Sequence, residues 1–199
     1  MPDDLHVRRL RGPEIAPYIA DLARLRITVF REWPYLYDGS EAYEATYLQR
    51  YQACDESALV LVCAGDRVVG ASTAMPLDRE MPEFQNPFAG GDLAIADVYY
   101  LGESVLLPAY RGRGLGHRFF DEREAAAREL GRFGHTAFCA VDRAADDPRR
   151  PAGYRALDGF WQKRGYVRRP GLSATLRWQE LGGTGETANR LTFWTRRLV

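Results

Sequence analysis

The sequence predicts a mixed α/β domain built on one central sheet, and three observations carry that expectation. Short apolar, β-branched runs alternate with stretches of helical period. Helix start and stop signals mark out four helices. No repeat, low-complexity tract or long linker divides the 199 residues. A chain of this length supports one sizeable core and is short for two, so a single domain over residues 1–199 is expected.

Residues 5–10 read as a short strand. In residues 13–30, Ile15, Ile19, Leu22 and Leu25 fall near the helical period, and Pro13 suits a first turn. That helix should end near Trp33-Pro34, because the residue before a proline resists helical geometry. Ser40 reads as the N-cap of a second helix reaching about Cys54, with Glu41 and Glu44 in its first turn. Residues 57–64 and 67–75 form a hairpin pattern around Gly65-Asp66. Residues 76–92, rich in proline and glycine, read as an irregular excursion with one short helical turn. Residues 94–107 read as a long strand with a bulge or bend at Gly102, ended by Pro108. The strongest helix pattern covers residues 114–130, with Gly131 as its C-cap. Residues 135–141 read as a buried strand and 154–164 as a short helix stopped by Gly165. Residues 166–167 with 173–179, then 191–198, are expected to close the sheet as an antiparallel pair.

Composition narrows the function classes. Hydrophobic residues make up 46% and charged residues 27%, an ordinary globular balance. Basic and acidic residues number 27 each, so no global field draws the chain to nucleic acid or an anionic membrane. The longest apolar run, residues 58–64, is too short to span a bilayer, and the first residues carry no signal pattern; a cytoplasmic protein is expected. Cys54, Cys63 and Cys139 lack metal-like or redox-like spacing, and no histidine pair has ligand spacing, so no metal is expected.

The segment 106–120, LLPAYRGRGLGHRFF, passes from strand to amphipathic helix through a glycine-punctuated turn. Gly112, Gly114 and Gly116 allow close backbone approach, while the helix offers unpaired N–H groups and the positive end of its dipole. Arg111, Arg113 and Arg118 add charge-assisted donors, and the sum is a pyrophosphate cradle. The spacing is neither the dinucleotide fingerprint nor a phosphate-binding loop ending in Gly-Lys-Ser/Thr.

Arg111-Gly112-Arg113-Gly114-Leu115-Gly116 resembles the central motif of the GCN5-related N-acetyltransferase (GNAT) superfamily, and Phe160 to Tyr166 is similar to its short helix and glycine turn. The resemblance implies a mixed, mostly antiparallel sheet with a splayed strand pair that binds acyl-CoA, flanked by about four helices. It implies acetyl-CoA as co-substrate, with Val105, Leu106 and Leu107 meeting the pantetheine. Gly112, Arg113, Gly114, Leu115, Gly116 and His117, with Arg111 at their head, would meet the pyrophosphate.

An amine attacks a thioester only when neutral, and a lysine-like amine is neutral roughly one part in a thousand at neutral pH, a cost of about 4 kcal/mol. The site therefore needs a base. Glu103, in an apolar strand just before the cradle, is the first choice; otherwise it points away and pairs with an arginine. Asp97 is the reserve. Relatives place tyrosine on the short helix where this chain has Trp161, which has no titrating proton, so the acid role passes to Tyr154 or Ser104. Glu32, Trp33, Tyr35 and Tyr37 lie in the segment that walls the acceptor site in the superfamily; a loop folded onto the core is the other reading. The expected activity is acetyl transfer to a primary amine of a small molecule or peptide. The alternative is a non-catalytic acyl-CoA-binding or sensor module. A homodimer through the last strands, with Trp178, Phe193 and Trp194, competes with a plain core role for those residues.

Overall fold

The computed structural model describes residues 4–198. Seven strands form one sheet in the order β1-β2-β3-β4-β5-β7-β6. They are β1 (Leu5–Leu10), β2 (Ala58–Ala64), β3 (Arg67–Pro76), β4 (Val98–Leu106), β5 (His135–Val141), β6 (Val167–Gln179) and β7 (Glu186–Arg197). Every neighbouring pair is antiparallel except β4 and β5. The helices are α1 (Ile19–Phe30), α2 (Glu41–Gln52), the single turn α3 (Pro82–Gln85), α4 (Leu115–Leu130) and α5 (Asp158–Lys163).

Alternation along β2 divides the core between the two faces of the sheet. Leu59, Leu61 and Cys63 pack with Leu22 and Leu25 of α1 and with Leu48 and Tyr51 of α2. Val60 and Val62 pack with Leu115 and Phe119 of α4 on the opposite face. Ser40 caps α2 by accepting from the Tyr43 N–H, and Gly131 ends α4 in the left-handed conformation at φ +69°.

Two features of β4 shape the site. Its parallel pairing with β5 covers only Val98–His135, Tyr99–Thr136 and Tyr100–Ala137, after which the strands part. Its register against β3 slips between Leu101 opposite Ala74 and Ser104 opposite Ser72. Gly102 and Glu103 therefore both oppose Thr73, a bulge of one extra residue. A Cβ on Gly102 would lie 2.5 Å from both Thr73 Oγ1 and the Tyr51 hydroxyl, so glycine is required by crowding.

Several elements depart from expectation. Residues 12–18 are a 3-10 stretch and the α-helix begins only at Ile19; Pro17 lacks the N–H and crowds the preceding turn. The 94–107 strand starts late, at Val98, after a 3-10 turn over Ile95–Asp97. The helix expected over 154–164 covers only Asp158–Lys163, because Pro151 and the left-handed Gly153 (φ +78°) hold the preceding residues in a turn. Residues 166–167 and 173–179 belong to one strand, irregular at Arg169–Ser173 where Pro170 and Gly171 interrupt the ladder. Phe193 and Trp194 are buried and β7 lies inside the sheet, so the core role accounts for them and the outer edge belongs to β6.

Gly102→Ala is expected to destabilise the protein by about 1–3 kcal/mol through overpacking at the bulge. A thermal melt should show a lower Tm, by roughly 2–4 °C per kcal/mol for a chain of this size.

Candidate active site

Between the parted ends of β4 and β5 lies a slot of about 1260 Å3, lined by Leu106, the 111–117 loop, Phe138 to Arg143 and the 150–161 segment. A smaller cavity of about 120 Å3 lies beside it, lined largely by aromatic residues from α1, α2 and the sheet. Phe30, Tyr35, Gly102, Glu103 and Cys139 line both. The β4 bulge is where the two spaces meet.

Gly112 (φ +75°) and Gly114 (φ +79°) adopt backbone that other residues resist, and a Cβ on either would meet nothing within 4 Å. Glycine is needed there for the sign of φ, and the space in front stays open. Among the described residues, no partner takes the N–H groups of Gly112, Arg113, Gly114, Leu115 or Gly116. His117 N–H donates back to Gly114 O (3.0 Å), so the first turn of α4 points its free donors into the slot mouth. The arginines turn elsewhere. Arg111 donates to both oxygens of Glu32 (2.8 and 3.2 Å) and to Leu106 O (3.0 Å). Arg113 donates to Ala109 O (3.1 Å) and Arg118 to Glu122 (3.0 Å). His117 contacts Arg164 (3.3 Å) and lies edge-on to Phe160.

Strand alternation sorts the three β4 positions expected at the slot. Leu107 N–H donates to Val69 O (3.0 Å), so Leu107 and Val105 turn their amides toward β3. Ser104 and Leu106 turn theirs toward the slot, and Leu106 O shows this by accepting from Arg111 across it.

Glu103 sits in the bulge with its side chain 3% exposed. Oε2 accepts from Arg26 (2.6 Å), and Arg26 also binds Glu44 through its Nε. Glu103 Oε1 is buried with no partner among the described residues. Burial pushes the Glu103 carboxyl up from the usual range; Arg26 opposes the shift, and the Glu44 and Glu80 carboxylates add to it. Glu103 thus both pairs with an arginine and faces the cavities. Arg123, buried on α4, donates to Thr73 O and Glu103 O (both 3.3 Å) and so ties the two strands together at the bulge. Its own pKa is lowered to about 10, chiefly by burial.

The other candidates fall as follows. Tyr35 lines both spaces and Tyr37 the smaller one, while Trp33 lines only the slot and Glu32 is held by Arg111. Their loop also folds onto the sheet: Arg143 and Trp178 donate to Tyr35 O (3.0 and 3.1 Å), and Asp38 N–H donates to Gln179 O (2.9 Å). Tyr154 lines the slot edge-on to Trp33, 6.2 Å between rings, and burial raises its pKa. Trp161 packs against Phe138 and Trp194. Asp97 is engaged at the far end of β4, with Gly134 N–H (2.8 Å) and His135 (2.7 Å).

Sequence reasoning missed Arg26, Glu44, Tyr47 and Cys139. Arg26 stands in the apolar stripe Leu22, Arg26, Val29 of α1, and Glu44 in the stripe Glu44, Leu48, Tyr51 of α2; a charge on such a stripe is a readable signal. Cys139, distant from the cradle in sequence, lies at the junction with its sulfur 3.2 Å from the Tyr100 hydroxyl. Burial pushes its thiol up to about 12, which keeps it protonated and unsuited as a nucleophile.

A mixed sheet with one splayed parallel pair, and a glycine cradle at a helix N-terminus beside the splay, defines an acyltransferase-like class of fold. The chain belongs to the acetyltransferase (GNAT) family, whose model matches residues 23–166. It is similar in fold to the yncA protein of Salmonella typhimurium, solved with its cofactor acetyl-CoA (14% identity, 98% of this chain and 94% of that chain, TM-score 0.59). It is also similar to ribosomal-protein-alanine N-acetyltransferase from Brucella melitensis (16% identity, 97% and 99%, TM-score 0.60). An acetyltransferase from Thermus thermophilus matches at 19% identity over 98% and 97%, TM-score 0.53. No curated protein sequence matches it significantly. No helix among the described residues is long and apolar enough to cross a membrane, and no three His, Cys, Asp or Glu residues gather there as a metal site.

Replacing Arg26 by methionine leaves Glu44 and Glu103 buried without their counter-charge and is expected to cost about 3–5 kcal/mol at neutral pH. A carboxyl with a raised folded pKa holds its proton more tightly when folded, so stability falls as pH rises through that value. Urea melts should therefore show the deficit of Arg26→Met shrinking as pH is lowered.

Proposed function

We propose that the protein is an acetyl-CoA-dependent N-acetyltransferase that acts on a primary amine by direct attack, with Glu103 as general base. The observation that carries this reading is the position of Glu103: a buried carboxylate with one unpartnered oxygen, where a cofactor-sized slot meets a second, smaller cavity.

The slot fits acetyl-CoA in chemistry. Free N–H groups from Gly112 to Gly116 at the start of α4 suit a pyrophosphate, and the slot-facing backbone of Ser104 and Leu106 suits the amides of pantetheine. The neutral backbone dipoles take the role first given to the arginines, which are bound to protein partners. Bound acetyl-CoA supplies an activated acetyl group at its thioester.

This chain's residues do the rest. Glu103 takes a proton from the amine, which its raised pKa favours. The neutral amine then forms the N–C bond and the C–S bond breaks; the second proton leaves nitrogen as the amide forms and balances the one that the departing sulfur takes up. Tyr154, kept protonated by burial and lining the same slot, is the candidate donor. Cys139 stays a neutral thiol and no covalent enzyme intermediate is invoked. The unpartnered carboxylate oxygen favours this reading over a non-catalytic acyl-CoA sensor, for which a buried base has no use.

Glu103→Gln is expected to lower kcat/KM for an amine by about 10²–10⁴ while leaving acetyl-CoA affinity unchanged. In the wild type, kcat/KM should rise with pH as Glu103 loses its proton; in the variant that rise should be lost, leaving only the one set by deprotonation of the amine itself. Thiol release measured over pH with a panel of primary amines checks both. Equal activity of the two proteins at every pH would remove Glu103 from the mechanism.

A further inference from the structure

We propose that the acceptor is a compact apolar amine, with a body about the size of a benzene ring and no carboxylate beside its nitrogen. This rests on the acetyltransferase reading above and names the substrate class for the smaller cavity.

Size comes first. The cavity measures about 120 Å3, and an apolar cavity of about 150 Å3 accommodates benzene. Its walls are rings that brace one another: Phe30 lies 4.4 Å from Tyr35, and Tyr35 6.0 Å from Trp178. Phe84 and Tyr100, 5.0 Å apart, close another side. The polar groups of the lining are the tyrosine hydroxyls with Arg26, Glu103 and Arg177, and a peptide chain or a polyhydroxylated body larger than one ring would exceed the volume.

Charge comes second. Of the two carboxylates that share the single guanidinium of Arg26, Glu103 lines the cavity and keeps one buried oxygen without a partner among the described residues, whereas Glu44 stands behind Arg26 outside the lining. With its counter-ion divided in this way, an ionised Glu103 welcomes an ammonium. Glu80 adds no free acceptor, being bound by Arg50 (3.0 Å), Tyr51 (3.0 Å) and Met81 N–H (2.9 Å). The remaining cation of the lining, Arg177, is 62% exposed and donates to Glu186 O. An α-amino acid holds its carboxylate carbon about 2.5 Å from its nitrogen. With the nitrogen at Glu103, that carboxylate would lie beside the Glu103 carboxylate and compete with it for Arg26, whose guanidinium is already shared with Glu44. The cavity therefore selects against amino acids and for their decarboxylated counterparts.

The test uses matched pairs with the full chain: benzylamine against phenylglycine, and 3-methylbutylamine against leucine. Thiol release gives kcat/KM, and calorimetry gives the acetyl-CoA Kd of the same preparation. The expected result is that each amine exceeds its amino acid by about tenfold or more, the like-charge penalty acting as discrimination. Leu176→Trp and, independently, Met81→Trp fill the cavity and should lower amine kcat/KM without changing the acetyl-CoA Kd. Amino acids used as well as or better than the amines would overturn the proposal. So would failure to acetylate any of the four by protein that binds acetyl-CoA, which leaves the cofactor reading standing. Protein that is folded yet binds no acetyl-CoA would overturn the underlying reading and this proposal with it.

Discussion

The bulge at Gly102 and Glu103 is the constraint on which the rest of the structure depends. One extra residue in β4 opposite Thr73 bends the strand just beyond its last pairing with β5. Arg123 fastens the bulge from the α4 face through carbonyls on both strands, and Arg26 holds the Glu103 carboxylate from the α1 face. Gly102 lets Tyr51 and Thr73 close over it. Without that geometry, Glu103 has no reason to stand where the slot and the aromatic cavity meet.

The electrostatics divide into two regimes. At the cradle, backbone dipoles face open space while the exposed Arg111–Glu32 pair links the loop after α1 to the cradle; an exposed pair of this kind is worth about 0–1 kcal/mol. Its use is positional. At the bulge, by contrast, Glu44, Arg26 and Glu103 are nearly dry, so each charge depends on the others and none can be removed cheaply. A raised carboxyl pKa follows from the same burial that makes the cluster costly, which ties the chemistry of Glu103 to the packing of α1 and α2.

Much of this was legible in the sequence where the determining physics is local. The cradle shows because glycines that need positive φ must sit at that corner, and Glu103 shows as an acid in an apolar strand. The hairpin, the Ser40 cap and the Gly131 stop are local as well. What stayed hidden depends on partners far along the chain. The Arg26–Glu44 pair joins two helices, Cys139 reaches the junction only through strand order, and the donors of the cradle arginines Arg111 and Arg113 are taken up by carbonyls and Glu32. The shortened helix before Gly165 and the 3-10 start before α1 are proline effects that a periodicity reading overran.

The most direct test of the account is a calorimetric titration of acetyl-CoA into the wild type and Gly114→Trp, with desulfo-CoA as the unreactive control. The account predicts binding in roughly the micromolar to millimolar range of ordinary substrates, lost when tryptophan occupies the open space before Gly114 in a variant that remains folded. Absence of binding by folded wild type, or undiminished binding by the folded variant, would contradict it.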